Sequence, residues 1–386
     1  MFKRIEATNY RCLKDVKQEL NPFEILVGAN ASGKTTFLDV IAFLGDFIAD
    51  GLESSVVRRT TNFHDLVWGR QMPAFELLVQ AQIPADKGYD SATAAGLDRI
   101  QYRVIFRLDP EDETLQVFSE AAQLVGGGRT GDPIVFRANT RLHFASEGVG
   151  EHFERQVHPN YSALTALPAD DVFPATAWLR ESLRAGITSV QLDRKELEKP
   201  SPPGKVEAKR ITGATLARSI SQLKTKDRQR YEDWLAHIRT ALPDVCAIDS
   251  VLREEDKHRY VMIEYQGGVR VPAWMLSEGT LRLLALTILA YLPEFQRVYL
   301  VEEPENGVHP VALETIYQSL SSVYNSQVLV ASHSPVLLSL ARPEQILCFS
   351  KTSDGTKIVR GNEHPALKEW QGEVSLGDMV ASGILG

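Results

Sequence analysis

Eight consecutive residues, Gly28-Ala-Asn-Ala-Ser-Gly-Lys-Thr35, constrain this chain more than any other stretch of it. They fit the pattern GxxxxGK[ST] without a mismatch. The apolar run Phe23–Val27 (FEILV) before them suits a buried strand. After them, Thr36–Ile48 carries Phe37, Val40, Ile41, Leu44 and Ile48 at helical spacing. Strand, glycine loop and helix form the context in which this pattern cradles phosphate. The glycines let the backbone wrap closely, so that successive N–H groups point at phosphate oxygens. The helix beginning near Gly33 adds the positive end of its dipole. Lys34 then bridges the β- and γ-phosphates, the Thr35 hydroxyl ligates Mg²⁺, and Thr36 offers a second hydroxyl near the α-phosphate. Gly28, Ala29, Asn30, Ala31, Ser32, Gly33, Lys34, Thr35 and Thr36 are therefore expected to bind a nucleoside triphosphate.

Around this loop the chain divides by pattern. Phe2–Ala7 reads as an opening strand. From about Phe75, the runs FELLVQAQI, IQYRVIFRL, LQVFSEAAQLV and PIVFRAN predict an antiparallel sheet over roughly 75–140. A helix around Ala175–Ala185 and a strand at Ile187–Leu192 follow. Leu216–Leu242 has helical periodicity, and the charged stretch KTKDRQRYED inside it reads as a solvated face or the bend of a helical hairpin. Tyr260–Tyr265 is a further strand. The alternation then becomes helix Leu281–Leu292, strand Val298–Val301, helix Val311–Val323, strand Val328–Ala331 and helix Val336–Ala341. The expected organisation is α/β at both ends. Residues 1–74 form a lobe with the phosphate loop, and 75–186 an antiparallel β and mixed insertion. Residues 187–270 form a helical lobe or short arm, 271–350 a second α/β lobe, and 351–386 a C-terminal segment. Its Trp370–Gly386 stretch reads as packed onto the rest in preference to a partner-docking tail.

Composition excludes several classes. Apolar residues are 44% and charged residues 24%, which is ordinary for a globular protein. Cys12, Cys246 and Cys348 stand far apart without a CxxC pair, so no disulfide framework is expected. The N-terminus has no apolar core of a signal peptide, and no uncharged apolar run reaches about 18 residues. A cytoplasmic protein with no membrane association is the expectation. With 50 acidic and 42 basic residues the net charge is −8, which argues against coating nucleic acid by bulk charge. A local basic groove would have to come from Arg58-Arg59, Arg70, Arg99, Arg103, Arg107, Lys205, Lys209-Arg210 and the Lys224–Arg230 stretch.

Three further stretches carry chemistry. The apolar strand Val298–Val301 ends in Glu302-Glu303-Pro304. Two carboxylates at the tip of a buried strand are costly without a positive partner, and phosphate-bound Mg²⁺ supplies one. Glu302 then holds the metal through its water shell while Glu303 polarises the attacking water. A solvated strand end followed by a turn at Pro304 and Gly307 accounts for the same residues more plainly. Val328–Ala331 runs into Ser332-His333-Ser334-Pro335, where His333 could meet a γ-phosphate or be merely structural. Leu276-Ser-Glu-Gly-Thr280 opens a helix, so Ser277 and Gly279 form either an anion site or an ordinary N-cap. The acidic runs Asp170-Asp171, Glu254-Glu255-Asp256 and Asp109–Glu113 read as solvated loops.

Taken in order, GANASGKT, LSEGT, VYLVEEPENGVHP and VLVASHSP resemble an ABC-type ATPase head. The resemblance is to SMC-like, RecF-like and OLD-type (overcoming lysogenization defect) ATPases. It is narrowest to the OLD-like "AAA family" ATPases of bacterial defence operons. It covers residues 1–45 and 187–350, and the opening IEATNYRCLKDVKQEL matches the first strand pair of such heads. It implies that residues 28–36 are Walker A and Leu276–Thr280 the signature loop. Glu302 takes the Walker B metal position, Glu303 is the catalytic glutamate, Asn306 lies in the D-loop and His333 is the switch histidine. Arg11 matches an N-terminal arginine that touches nucleotide, and Gln191 is the candidate Q-loop ligand of the metal. The implied assembly is a head-to-tail homodimer sandwiching two ATP molecules, with Ser277, Glu278 and Gly279 closing the partner's site.

Two departures have consequences. Glu302 stands where most ABC heads have Asp, and LSEGT replaces LSGGQ. Glu278 brings a carboxylate near the partner's phosphates, so slow basal hydrolysis is expected unless Arg282 or Lys34 offsets it. No long heptad region occurs, which excludes extended coiled-coil arms. The 53 residues after His333 are too few for the Toprim nuclease domain of OLD nucleases. Three functions remain: a sensor or regulatory ATPase of an antiphage defence module with a separate effector (a nuclease or toxin), a RecF-like DNA-repair clamp, or a non-hydrolysing ATP-dependent scaffold.

Overall fold

Strand residues that alternate inward and outward build the first half of the molecule, and strands buried on both faces build the second. The computed structural model describes residues 1–87, 96–109, 111, 114–147, 152–167, 171–204, 213–292, 297–368 and 375–382. Asp170, Lys205, Lys209, Arg210 and most of 370–386 lie outside them. The chain folds as two units. The first comprises Met1–Asn21, Asn30–Ile187 and Phe349–Ile358, and the second Pro22–Ala29, Thr188–Cys348 and Val359–Gly386.

Three strands open the chain: β1 (Phe2–Tyr10), β2 (Leu13–Glu19) and β3 (Phe23–Gly28). The first unit continues with β4 (Ala74–Gln82), β5 (Arg99–Leu108), β6 (Leu115–Gly126), β7 (Arg129–Ala138), β8 (Arg141–Ala145) and β9 (His152–Gln156). Its sheet runs β2-β1-β4-β5-β6-β7-β8-β9. The antiparallel sheet expected over 75–140 is thus larger at both ends, because the opening strands β1 and β2 join one edge and β8 and β9 the other. The β4–β5 register pairs Phe75 with Phe106, Leu77 with Val104 and Val79 with Tyr102. All six are buried. This face packs on the helix Lys34–Asp50, where Phe43 lies 5.5 Å from Phe75 and Phe47 lies 5.0 Å from Phe106. The hydrophobic pattern does not mark β2, which only the resemblance of the opening segment implied, because LKDVKQE has only Leu13 and Val16 facing inward.

In the second unit, β10 (Ile187–Val190) precedes the helices Gly213–Lys226 and Arg228–Ala241. Asp227 separates the two helices, and its side chain caps the second by accepting from Arg230 N at 3.1 Å. β11 (Val245–Leu252), β12 (Arg259–Tyr265) and β13 (Arg270–Pro272) form a small antiparallel sheet. β14 (Val298–Glu302), β15 (Gln327–Ala331), β16 (Ile346–Thr352) and β17 (Gly355–Arg360) complete a six-stranded sheet of order β10-β14-β15-β3-β16-β17. β14, β15 and β3 are parallel. β3 and β15 are buried at every residue, as parallel strands covered on both faces must be. Trp234 anchors this core, donating its indole N–H to Thr287 Oγ1 at 3.0 Å.

Candidate functional site

The phosphate loop leaves the sheet at the end of β3 and needs left-handed backbone three times within six residues. Gly28 has φ 147°, Ala31 φ 61° and Gly33 φ 107°. At Gly33 nothing larger fits, because a Cβ would lie 2.5 Å from Thr356 Oγ1 and 3.2 Å from Cys12 Sγ. Gly33 is the N-cap of the helix Lys34–Asp50, which takes no side-chain cap and has no acidic residue in its first turn. An uncapped helix start without an acidic residue favours an anion there. Ser32 Oγ is buried with no partner among the described residues, and Lys34 is only 6% exposed. A cradle that excludes a Cβ, an orphaned hydroxyl and a buried lysine fit a triphosphate.

Arg11 lies at the β1–β2 turn with φ 50°. Its guanidinium is 3.4 Å from Asp39, which belongs to the phosphate-loop helix. The same carboxylate accepts from Tyr10 OH at 2.6 Å and Arg59 Nε at 2.7 Å. Burial, then the neighbouring Asp39 charge, push the Tyr10 phenol well above its ordinary range. Arg11 is therefore held against the loop's helix through Asp39.

In the second unit, parallel register sets Glu302 at the tip of β14 level with Ala331 at the tip of β15. Gln191, just beyond β10, donates its amide to Glu302 Oε1 at 2.9 Å. Glu303 follows with φ 47°, a left-handed conformation uncommon for a residue with a side chain. Such strain costs about 1–3 kcal/mol and concentrates at functional sites. Its backbone N–H donates to Ala331 O at 2.8 Å, and Asn306 donates its amide to the exposed Glu303 carboxylate. His333, two residues past the β15 tip, exposes its imidazole. Among the described residues no three His, Cys, Asp or Glu side chains converge on a metal position. Within the second unit the Glu302 carboxylate and the Gln191 side-chain carbonyl are hard oxygen donors of the kind Mg²⁺ takes, and in the first unit the Thr35 hydroxyl is another.

Ser277 caps the helix Glu278–Thr287, accepting from Thr280 N at 3.1 Å. Glu278 pairs with Arg282 at 2.8 Å, so the offset contemplated for this carboxylate is present. Arg282 also donates to Leu192 O at 2.6 Å, beside Gln191. Gly279 has its Cβ position 2.7 Å from Gly307 O, a close approach that lets LSEGT lie against the turn after Glu303.

Two residues escaped the sequence reading. Thr356 donates its hydroxyl to Ser32 O at 2.9 Å across 324 residues, and no local signal marks it. Glu305 accepts from both Ser332 and His333; its only signal was a third acid in VEEPEN. Of the basic groove candidates, Arg58, Arg59, Arg70, Arg99, Arg103, Arg107, Lys224, Arg228 and Arg230 each lie within ion-pair distance of a carboxylate.

Phosphate loop, paired strand-tip carboxylates and signature helix on this topology define an OLD-like, SMC-like ABC-type ATPase head. Residues 24–339 match the family described as "AAA domain, putative AbiEii toxin, Type IV TA system", and the chain belongs to that family. It is 22% identical to an OLD nuclease of Thermus scotoductus over 98% of this chain and 68% of that protein. Its fold is similar to an SMC head bound to the C-terminal winged-helix domain of ScpA, with TM-score 0.58 and 16% identity, covering 93% of this chain and 97% of that one. An SMC head domain from Thermotoga maritima aligns over 93% of this chain and 98% of its own, at TM-score 0.45 and 10% identity. No helix among the described residues is long and apolar enough to cross a membrane, which does not bear on β-barrels.

Proposed function

We propose that this protein is a Mg²⁺-dependent ATPase that dimerises head-to-tail around ATP and serves as the cytoplasmic sensor of an antiphage defence module with a separate effector. The observation that carries the ATPase reading is the strand-tip arrangement: Gln191 bonded to Glu302, followed by Glu303 in left-handed backbone. In this reading residues 28–36 bind the phosphates, with Lys34 on the β- and γ-phosphates and Arg11 near the nucleotide. Mg²⁺, held by Thr35, Glu302 and Gln191, would neutralise charge developing on the phosphate oxygens. Glu303 takes the proton of the in-line attacking water, and His333 contacts the γ-phosphate. Ser277, Glu278 and Gly279 close the partner's site, so loss of the γ-phosphate opens the dimer. The defence role draws on the family description and on the OLD nuclease relative.

A RecF-like DNA clamp is less well supported, since the described arginine and lysine candidates named above spend their charge on neighbouring carboxylates. The test is ATP turnover by the purified protein, with and without linear duplex DNA, against Glu303→Gln as blank. Turnover that depends on Glu303 and ignores DNA supports the sensor. Stimulation by DNA would shift the reading to a clamp, and turnover no higher than the blank would leave a scaffold.

A further inference from the structure

We propose that Glu305 is a positioning residue that locks the switch-histidine loop to the catalytic turn. The inference rests on the ATPase reading above and adds a residue to it. Glu305 lies three residues beyond the β14 tip, and His333 two beyond the tip of β15. Glu305 Oε1 accepts from His333 N at 2.7 Å and from Ser332 Oγ at 3.0 Å. The carboxylate thus holds the first two residues past one strand from the turn that follows the other.

That turn is itself fixed. Asn306 N donates to Glu303 O at 3.1 Å, Val308 N donates to Glu305 O at 3.1 Å, and the Asn306 amide reaches the Glu303 carboxylate. Glu303 and His333 are therefore set from one short segment, the first through Asn306 and the second through Glu305. Glu305 Oε2 is buried without a hydrogen-bond partner among the described residues, so there the side chain works through its other oxygen. A carboxylate with one oxygen shut away is a costly turn residue. Its cost is consistent with a need for one strong charged acceptor facing two donors. The arrangement makes the water-activating and γ-phosphate-sensing groups move as one.

The test measures ATP and ADP affinity in the Glu303→Gln background, with turnover measured separately in the otherwise native protein. Glu305→Ala should lower the preference for ATP over ADP about tenfold and lower kcat by a similar factor, with ADP affinity unchanged. Glu305→Gln retains an acceptor oxygen and should stay within about threefold of the parent in both. In a His333→Ala background, Glu305→Ala should add little, because both act through one contact. Native ATP preference in Glu305→Ala, full additivity with His333→Ala, or equal losses in the Ala and Gln variants would each overturn the proposal. If the native protein shows no turnover above its Glu303→Gln blank, hydrolysis fails as a reading, while the ATP-over-ADP ratio still decides the role of Glu305. A thermal melt of each variant separates misfolding from loss of positioning.

Discussion

Two helices in this molecule begin at glycine-bearing loops assigned to phosphate, and their first turns are built in opposite ways. The helix Lys34–Asp50 starts at Gly33, with no side-chain cap and no acid in its first turn. The helix Glu278–Thr287 starts at Ser277, whose hydroxyl already caps it, and places Glu278 in its first turn. The first therefore presents its dipole to a ligand with no acidic side chain opposing it. The second has satisfied part of its own need and carries an opposing charge, which Arg282 offsets at 2.8 Å. On the proposed reading the first captures a triphosphate alone, and the second touches a phosphate that the partner already holds.

Lys34→Ala should break the first helix's advantage, lowering ATP affinity by about 100-fold or more in equilibrium binding. Arg282→Ala tests the second: it should reduce ATP-dependent dimerisation about tenfold in sedimentation of the Glu303→Gln protein, with affinity for ATP in the monomer unchanged. Adding Glu278→Gln should recover most of that loss, and failure to recover would mean that Arg282 acts through Leu192 alone. Ser277→Ala should destabilise by about 1 kcal/mol in thermal or denaturant melts, the usual value of a lost N-cap. No counterpart exists at Gly33, where the cap has no side chain to remove.

The smallest effect lies past the end of the signature helix. His237 bonds Tyr291 OH at 3.0 Å, and burial lowers its imidazole below the ordinary 6.5. Unfolded chains take up this proton near 6.5 and the folded protein only at lower pH, so stability is complete above that value and declines as pH falls through it. His237→Gln should flatten the difference between melts at pH 7 and pH 5.5 slightly. An unchanged pH dependence would remove His237 from the account.

These helices also differ in how legible they were. Gly28–Thr35 is contiguous, and a strand before it and a helix after it are short-range patterns, so the loop could be read directly. The strand tips at Glu302 and His333 were readable for the same reason: apolar runs ending abruptly in polar residues. What escaped depends on register and tertiary approach. Nothing local indicates that Arg282 reaches Leu192, and only the family resemblance, not the residue pattern, pointed to Gln191 beside Glu302 and to Leu13–Glu19 pairing with β1. The boundary of the antiparallel sheet failed likewise, because β1 and β2 join a sheet whose other strands begin more than sixty residues later.

The Thr356–Ser32 hydrogen bond has a consequence for biosynthesis. The phosphate loop is made early, yet β3 lies between β15 and β16 in its sheet, and the loop's carbonyl at Ser32 waits for a hydroxyl 324 residues downstream. A nascent chain on the ribosome, emerging at about 5–20 residues per second, carries a complete GANASGKT sequence for many seconds before that support exists. The contact from Thr356 is thereby deferred until synthesis has passed that residue, and a product truncated before it holds the motif without that hydrogen bond.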